Sequence, residues 1–158
     1  MNDHAAKART GRRLLRLGVL LFLLGLLTGL VVPMLANPRM GLSSHLEGVM
    51  NGIFLVVLGL LWPRLRLSRS ASMIALCLAL YGTYVNWATT LVAAAWGAGA
   101  PMMPIAGLDH QGTRLQEGVI AFGLVSLALA MIATCAVVLW GLRGADEPVS
   151  AESSLDHG

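Results

Sequence analysis

Four stretches of about twenty residues, at 17–36, 43–62, 71–96 and 118–142, carry almost no charge and dominate this sequence. An α-helix rises about 1.5 Å per residue, so roughly twenty apolar residues cross the ~30 Å hydrocarbon core of a bilayer. Extended chain is excluded there, because lipid offers no partner to backbone N–H and C=O groups and a helix pairs them internally. The sequence therefore predicts an all-α integral membrane protein, a four-helix bundle over residues 17–142. A basic cytoplasmic segment, 1–16, precedes it, and a polar tail, 143–158, follows that lacks apolar periodicity and is expected to be disordered. Composition agrees: 56% of residues are hydrophobic and 12% charged, about half the charged share of a soluble domain. Pro33, Pro38 and Pro63 lie near the ends of the first two spans, where helices stop, and Trp62, Trp96 and Trp140 sit at span ends as interfacial anchors.

The net charge of +3 does not point to nucleic acid, because the basic residues border the apolar stretches and form no separate basic face. Their distribution orients the chain. Lys7, Arg9, Arg12, Arg13, Arg16, Arg64, Arg66, Arg69 and Arg143 fall on one side, and Arg39 and Arg114 on the other. Nine against two places both termini in the cytoplasm, as in a multi-pass protein of a bacterial-type inner membrane with lipid as its constant partner. The first stretch has the basic flank of a signal peptide but is too long for an h-region, so it counts as a span. Cys77 and Cys135 lie inside spans and read as small buried hydrophobes.

Polar residues inside the spans are where function is sought, since lipid penalises them. The first span has Thr28; the second has His45, Glu47 and Asn51; the third has Tyr81, Thr83, Tyr84, Asn86, Thr89 and Thr90; Gln116 and Glu117 open the fourth. Asn51 lies roughly 12 Å in from Ser43, and Thr90 and Asn86 roughly 9 and 15 Å in from Trp96, all measured from the outer surface. His45, Glu47 and Glu117 lie near the same surface. These side chains are expected to converge on one pocket in the outer half, with the loop 97–116, rich in Gly, Pro and Met, across its mouth. Glu47-Gly48-Val49 and Glu117-Gly118-Val119 form a faint internal echo of two hairpins in one orientation.

His45, Gly48, Gly52 and Gly59 share a helical stripe that admits two readings. Gly48 and Gly52 form a GxxxG pair suited to close helix packing. Alternatively, a flat group such as a porphyrin lies on the cleared face while His45 reaches its metal. His4 and His157 are in tails and His110 is in a loop, so a haem here has one protein ligand and one open position, which suits Lewis-acid chemistry better than electron shuttling. Asp109 and His110 read as a solvated loop pair. GxSxG, HExxH, Walker A and GxGxxG patterns are absent.

The run Ser44-His45-Leu46-Glu47-Gly48-Val49-Met50-Asn51-Gly52, with Tyr84-Val85-Asn86-Trp87-Ala88 and Met103-Pro104-Ile105, resembles the membrane-bound hydroxylaminobenzene mutases from the first span to Arg143. More distantly it resembles styrene oxide isomerase, in the His-x5-Asn-Gly arrangement of His45, Asn51 and Gly52 and in Tyr84-x-Asn86. The mutase likeness implies intramolecular conversion of a small N-arylhydroxylamine to an aminophenol, typically ortho, without net redox change. The isomerase likeness implies haem b between the subunits of a homotrimer, with His45 on the iron, the Gly48/Gly52 face beside the ring and Asn51 on the substrate oxygen. Asn86, Thr90, Tyr84, Glu47 and Glu117 complete the expected catalytic set. Thr90 stands where the isomerase has a tyrosine, which argues against epoxide isomerisation as the activity. A non-catalytic haem-binding subunit and a purely structural membrane protein are also compatible with the composition and the spans.

Overall fold

The computed structural model describes residues 3–143; the polar tail from residue 144, with His157, lies outside them. Five α-helices follow in order: α1 Asp3–Val31, α2 Pro38–Leu61, α3 Arg69–Trp96, the short α4 Pro104–Gly107, and α5 Arg114–Leu142. Four of them, all but α4, are long and apolar enough to cross a membrane. Among the described residues there is no strand.

Local chemistry sets the boundaries. Pro38 and Pro104 occupy first-turn positions, where the missing N–H costs nothing. The Asn37 side chain accepts from Met40 N and caps α2, and the Ser68 side chain accepts from Ala71 N and caps α3. Thr113 and Gln116 close a reciprocal capping box on α5. Gly97, at φ +62°, ends α3 in the left-handed conformation.

The first helix begins ahead of the apolar stretch, at Asp3. Residues expected to form a separate basic segment continue α1, because Leu14 is fully buried and Gly11 packs on the backbone of Gly59. The arginines at 9, 12, 13 and 16 are exposed on the side away from that seam.

The spans also depart from a closed bundle. α1 packs along α2, α2 along α3, and α3 along α5, while α5 makes no substantial contact with α1 or α2. The result is an open row with α3 between its neighbours.

Glycine explains the tightest seam. Gly11, Gly18 and Gly25 recur every seven residues on α1 and meet Gly59, Gly52 and Gly48 on antiparallel α2. A Cβ at Gly48 would lie 2.5 Å from Gly25 Cα, and one at Gly52 would lie 2.6 Å from Phe22 N. Backbones this close gain dispersion that lipid cannot match. At one end Leu14, Leu55, Trp62, Leu65 and Ala79 form a core; at the other Met40, Ala93, Ala98 and Ile120 form a second.

Candidate functional site

Glu47, Asn51 and Asn86 form a polar knot between α2 and α3. Oε2 of Glu47 accepts from Asn51 Nδ2, one turn along α2, at 3.0 Å and from Asn86 Nδ2, across the seam, at 2.5 Å. Of the side chains expected to converge on one pocket, these three are joined. A buried amide or carboxyl without partners costs several kcal/mol in an apolar medium, so the three hold each other in place.

A second set of bonds braces the knot. Trp87 Nε1 donates to Thr28 Oγ1 at 3.0 Å, and that hydroxyl donates to Leu24 O at 2.8 Å. Ser44 Oγ donates to Trp87 O at 3.1 Å, joining α2 to α3. Sequence reasoning left Trp87 out of the site. The signal was present: an indole in mid-span requires an acceptor, and Thr28 is the lone polar residue of the first span.

His45 faces the other way. Its ring lies against α1, where a Cβ on Gly29 would come within 2.8 Å of Nδ1. Nδ1 donates to Gly25 O at 2.8 Å. A carbonyl only accepts, so a proton sits on Nδ1, and in the neutral ring the lone pair is that of Nε2. Among the described residues Nε2 has no partner, yet no buried side-chain nitrogen or oxygen there lacks one. It therefore reaches the surface of the chain from a half-buried ring. A backbone carbonyl on one nitrogen and an open position on the other is the donor arrangement of an imidazole ligand, so His45 fits the chemistry of a residue that would hold a haem iron. Among the described residues no three His, Cys, Asp or Glu side chains gather.

Other expected residues are placed elsewhere. The face of Gly48 and Gly52 is filled by α1, so no flat group lies on it; these glycines set the helix separation. Thr90 is buried and its hydroxyl donates back to Asn86 O and Trp87 O on its own helix. Tyr84 donates to Leu17 O on α1 at 2.9 Å, a tie between helices. Glu117 is not in the knot. Its carboxyl accepts from Gly99 N at 3.0 Å and from Gly112 N at 2.8 Å, pinning both ends of the loop that follows α3. The echo between the two Glu-Gly pairs thus covers two different tasks. That loop is also held by Asn37, overlooked in the sequence, whose Nδ2 donates to Ala106 O at 3.0 Å and to Gly107 O at 3.3 Å. His110 donates to Gly107 O at 3.2 Å.

The family model described as styrene oxide isomerase matches residues 10–143, which include every residue of the knot and His45. The chain belongs to the styrene oxide isomerase family. Within it, the chain is 62% identical over 145 residues to hydroxylaminobenzene mutase HabB of Ectopseudomonas oleovorans, covering 92% of this chain and 88% of that protein. It is 49% identical over 125 residues to hydroxylaminobenzene mutase HabA of the same organism, covering 79% of this chain and 93% of that one. No solved structure matches. The chain is a multi-pass membrane isomerase of the mutase type.

Proposed function

We propose that the protein converts an N-arylhydroxylamine, hydroxylaminobenzene or a close analogue, to an aminophenol, typically ortho, by intramolecular hydroxyl transfer. The observation that carries this reading is the 62% identity to a hydroxylaminobenzene mutase over 92% of the chain. The knot supports it, since Glu47, Asn51 and Asn86 supply hydrogen-bonding groups suited to an –NH–OH substituent. The atoms balance without a co-reactant: the N–O bond breaks, a C–O bond forms at the ring, and the displaced ring proton ends on nitrogen.

His45 would hold haem b through Nε2, with the Nδ1–H bond to Gly25 O fixing the ring. Bound there, the haem would supply a Lewis-acidic iron to polarise the substrate oxygen. The chain's own part is to orient and to exclude water. Asn51 and Asn86 hold the –NH–OH group, and the apolar spans around them keep bulk water from the electron-poor aryl fragment. An apolar aromatic substrate partitions into the bilayer, which suits an enzyme placed there.

The same reading places the chain in a bacterial-type inner membrane with both termini cytoplasmic. Nine basic residues at one membrane face against two at the other support that orientation. It also makes the enzyme a homotrimer, in which subunits enclose sites that the open row leaves uncovered.

Oxygen-18 water tests the chemistry. Membranes containing the protein and supplied with hydroxylaminobenzene are expected to give aminophenol that keeps the substrate's own oxygen. Substantial label in the product sinks the intramolecular version.

A further inference from the structure

In the knot, one oxygen atom decides how two amides are turned. Glu47 Oε2 receives Asn51 Nδ2 at 3.0 Å and Asn86 Nδ2 at 2.5 Å. An oxygen that receives two N–H bonds acts as acceptor in both, so each amide presents its NH2 edge to Glu47 and its carbonyl edge away. Neither Oδ1 has a side-chain or backbone donor among the described residues. Because no buried side-chain oxygen there lacks a partner, both reach open space. Oε1 of Glu47 is in the same position. The three oxygens that face away from the knot, Oδ1 of Asn51, Oδ1 of Asn86 and Oε1 of Glu47, are therefore acceptors in want of a donor, beside the second N–H that each amide keeps.

We propose that Glu47 is a positioning residue that sets substrate specificity: by fixing both amides carbonyl-outward, it selects substrates that donate hydrogen bonds over substrates that only accept them. The proposal rests on the arylhydroxylamine reading of this site. The –NH–OH group of that substrate carries an N–H and an O–H, and each finds an outward oxygen. An epoxide carries one oxygen and no donor, so it leaves all three outward oxygens unpaired, and sites built to pair a polar hydrogen reject analogues lacking it. Free of Glu47, an asparagine amide turns by half a revolution at little cost and offers its N–H instead.

A purely structural role, in which Glu47 only ties α2 to α3, is separable by measurement. Full-length protein in lipid nanodiscs is titrated with benzyl alcohol, which has an O–H donor, and with styrene oxide, which has none. Shifts in unfolding temperature give the two dissociation constants. The wild-type chain is expected to favour the alcohol. In Glu47→Gln, whose own amide can donate to one asparagine and turn it, the ratio of the two constants falls about tenfold, the weight of roughly one hydrogen bond. In the exchange variant Glu47→Gln/Asn51→Asp an outward oxygen is restored at position 51, and the preference returns towards wild type. A folded Glu47→Gln with an unchanged ratio overturns the proposal. If that variant does not fold, loss of preference in the exchange variant overturns it. Turnover of hydroxylaminobenzene is assayed on the same samples. A wild-type chain that binds with donor preference but makes no aminophenol defeats the functional reading and leaves the role of Glu47 standing.

Discussion

Thr90 is a site candidate in the sequence and Gly29 is not, but the surroundings of each in the fold reverse the effect expected of a substitution there. The Thr90 hydroxyl is spent on carbonyls one turn back in its own helix, the usual fate of a threonine in an apolar helix. Thr90→Val removes only that bond and is expected to change kcat/KM for hydroxylaminobenzene less than about threefold, since no substrate contact is lost. Gly29 looks inert in the sequence, yet a methyl there meets the His45 ring at 2.8 Å and pushes it off Gly25 O. Gly29→Ala is therefore expected to lower kcat/KM at least tenfold, and to weaken the absorbance of the proposed haem, because it disturbs the group that orients the ring nitrogen. Comparable activity in these two variants contradicts this account. The sequence made His45, Glu47, Asn51 and Asn86 legible through one rule, that lipid penalises polarity. That rule says nothing about which way a hydroxyl turns, and so it grouped Thr90, Tyr84 and Glu117 with residues whose partners are quite different.

Helices were legible because length and hydropathy fix a span whatever its neighbours are. Their packing was only half legible. The stripe through Gly48, Gly52 and Gly59 is visible on α2 alone, but its meaning depends on the answering glycines of α1, spaced by seven and partly hidden among arginines. With both halves in view, the seam is a backbone contact and has no room for a Cβ. Gly48→Ala forces the Gly25 backbone away and is expected to lower stability by about 1–3 kcal/mol, the usual penalty of overpacking. Gly118 is the control. It opens the α5 half of the same echo, and nothing lies within 4 Å of a Cβ built there. Gly118→Ala is expected to be neutral or to stabilise by up to about 1 kcal/mol through helix propensity. Thermal unfolding in detergent, followed by circular dichroism, orders the two variants, and an unaffected Gly48→Ala removes the glycine seam as the source of α1–α2 cohesion.

At the scale of the molecule, the two functional halves of α2 point in different directions. His45 bonds to α1, and Glu47, two residues on, bonds to α3. One small substrate cannot meet both within a single chain if α2 stands between them. The open row supplies another route, because its uncovered faces leave Nε2 of His45 and the amide oxygens accessible to a neighbouring subunit. In the proposed homo-oligomer each interface repeats, so an interface that sets His45 of one chain against the knot of the next does so all round the ring. Subunit mixing tests this directly. His45→Ala and Asn51→Ala chains are each expected to lose most activity alone. Co-expressed in equal amounts, they form some interfaces with an intact histidine on one side and an intact asparagine on the other. Random pairing makes about a quarter of the interfaces whole, so the mixture is expected to recover about a quarter of wild-type activity. A mixture no more active than its parents means that His45 and the knot act within one chain, and α2 would then have to rotate or bend to bring them to the same substrate.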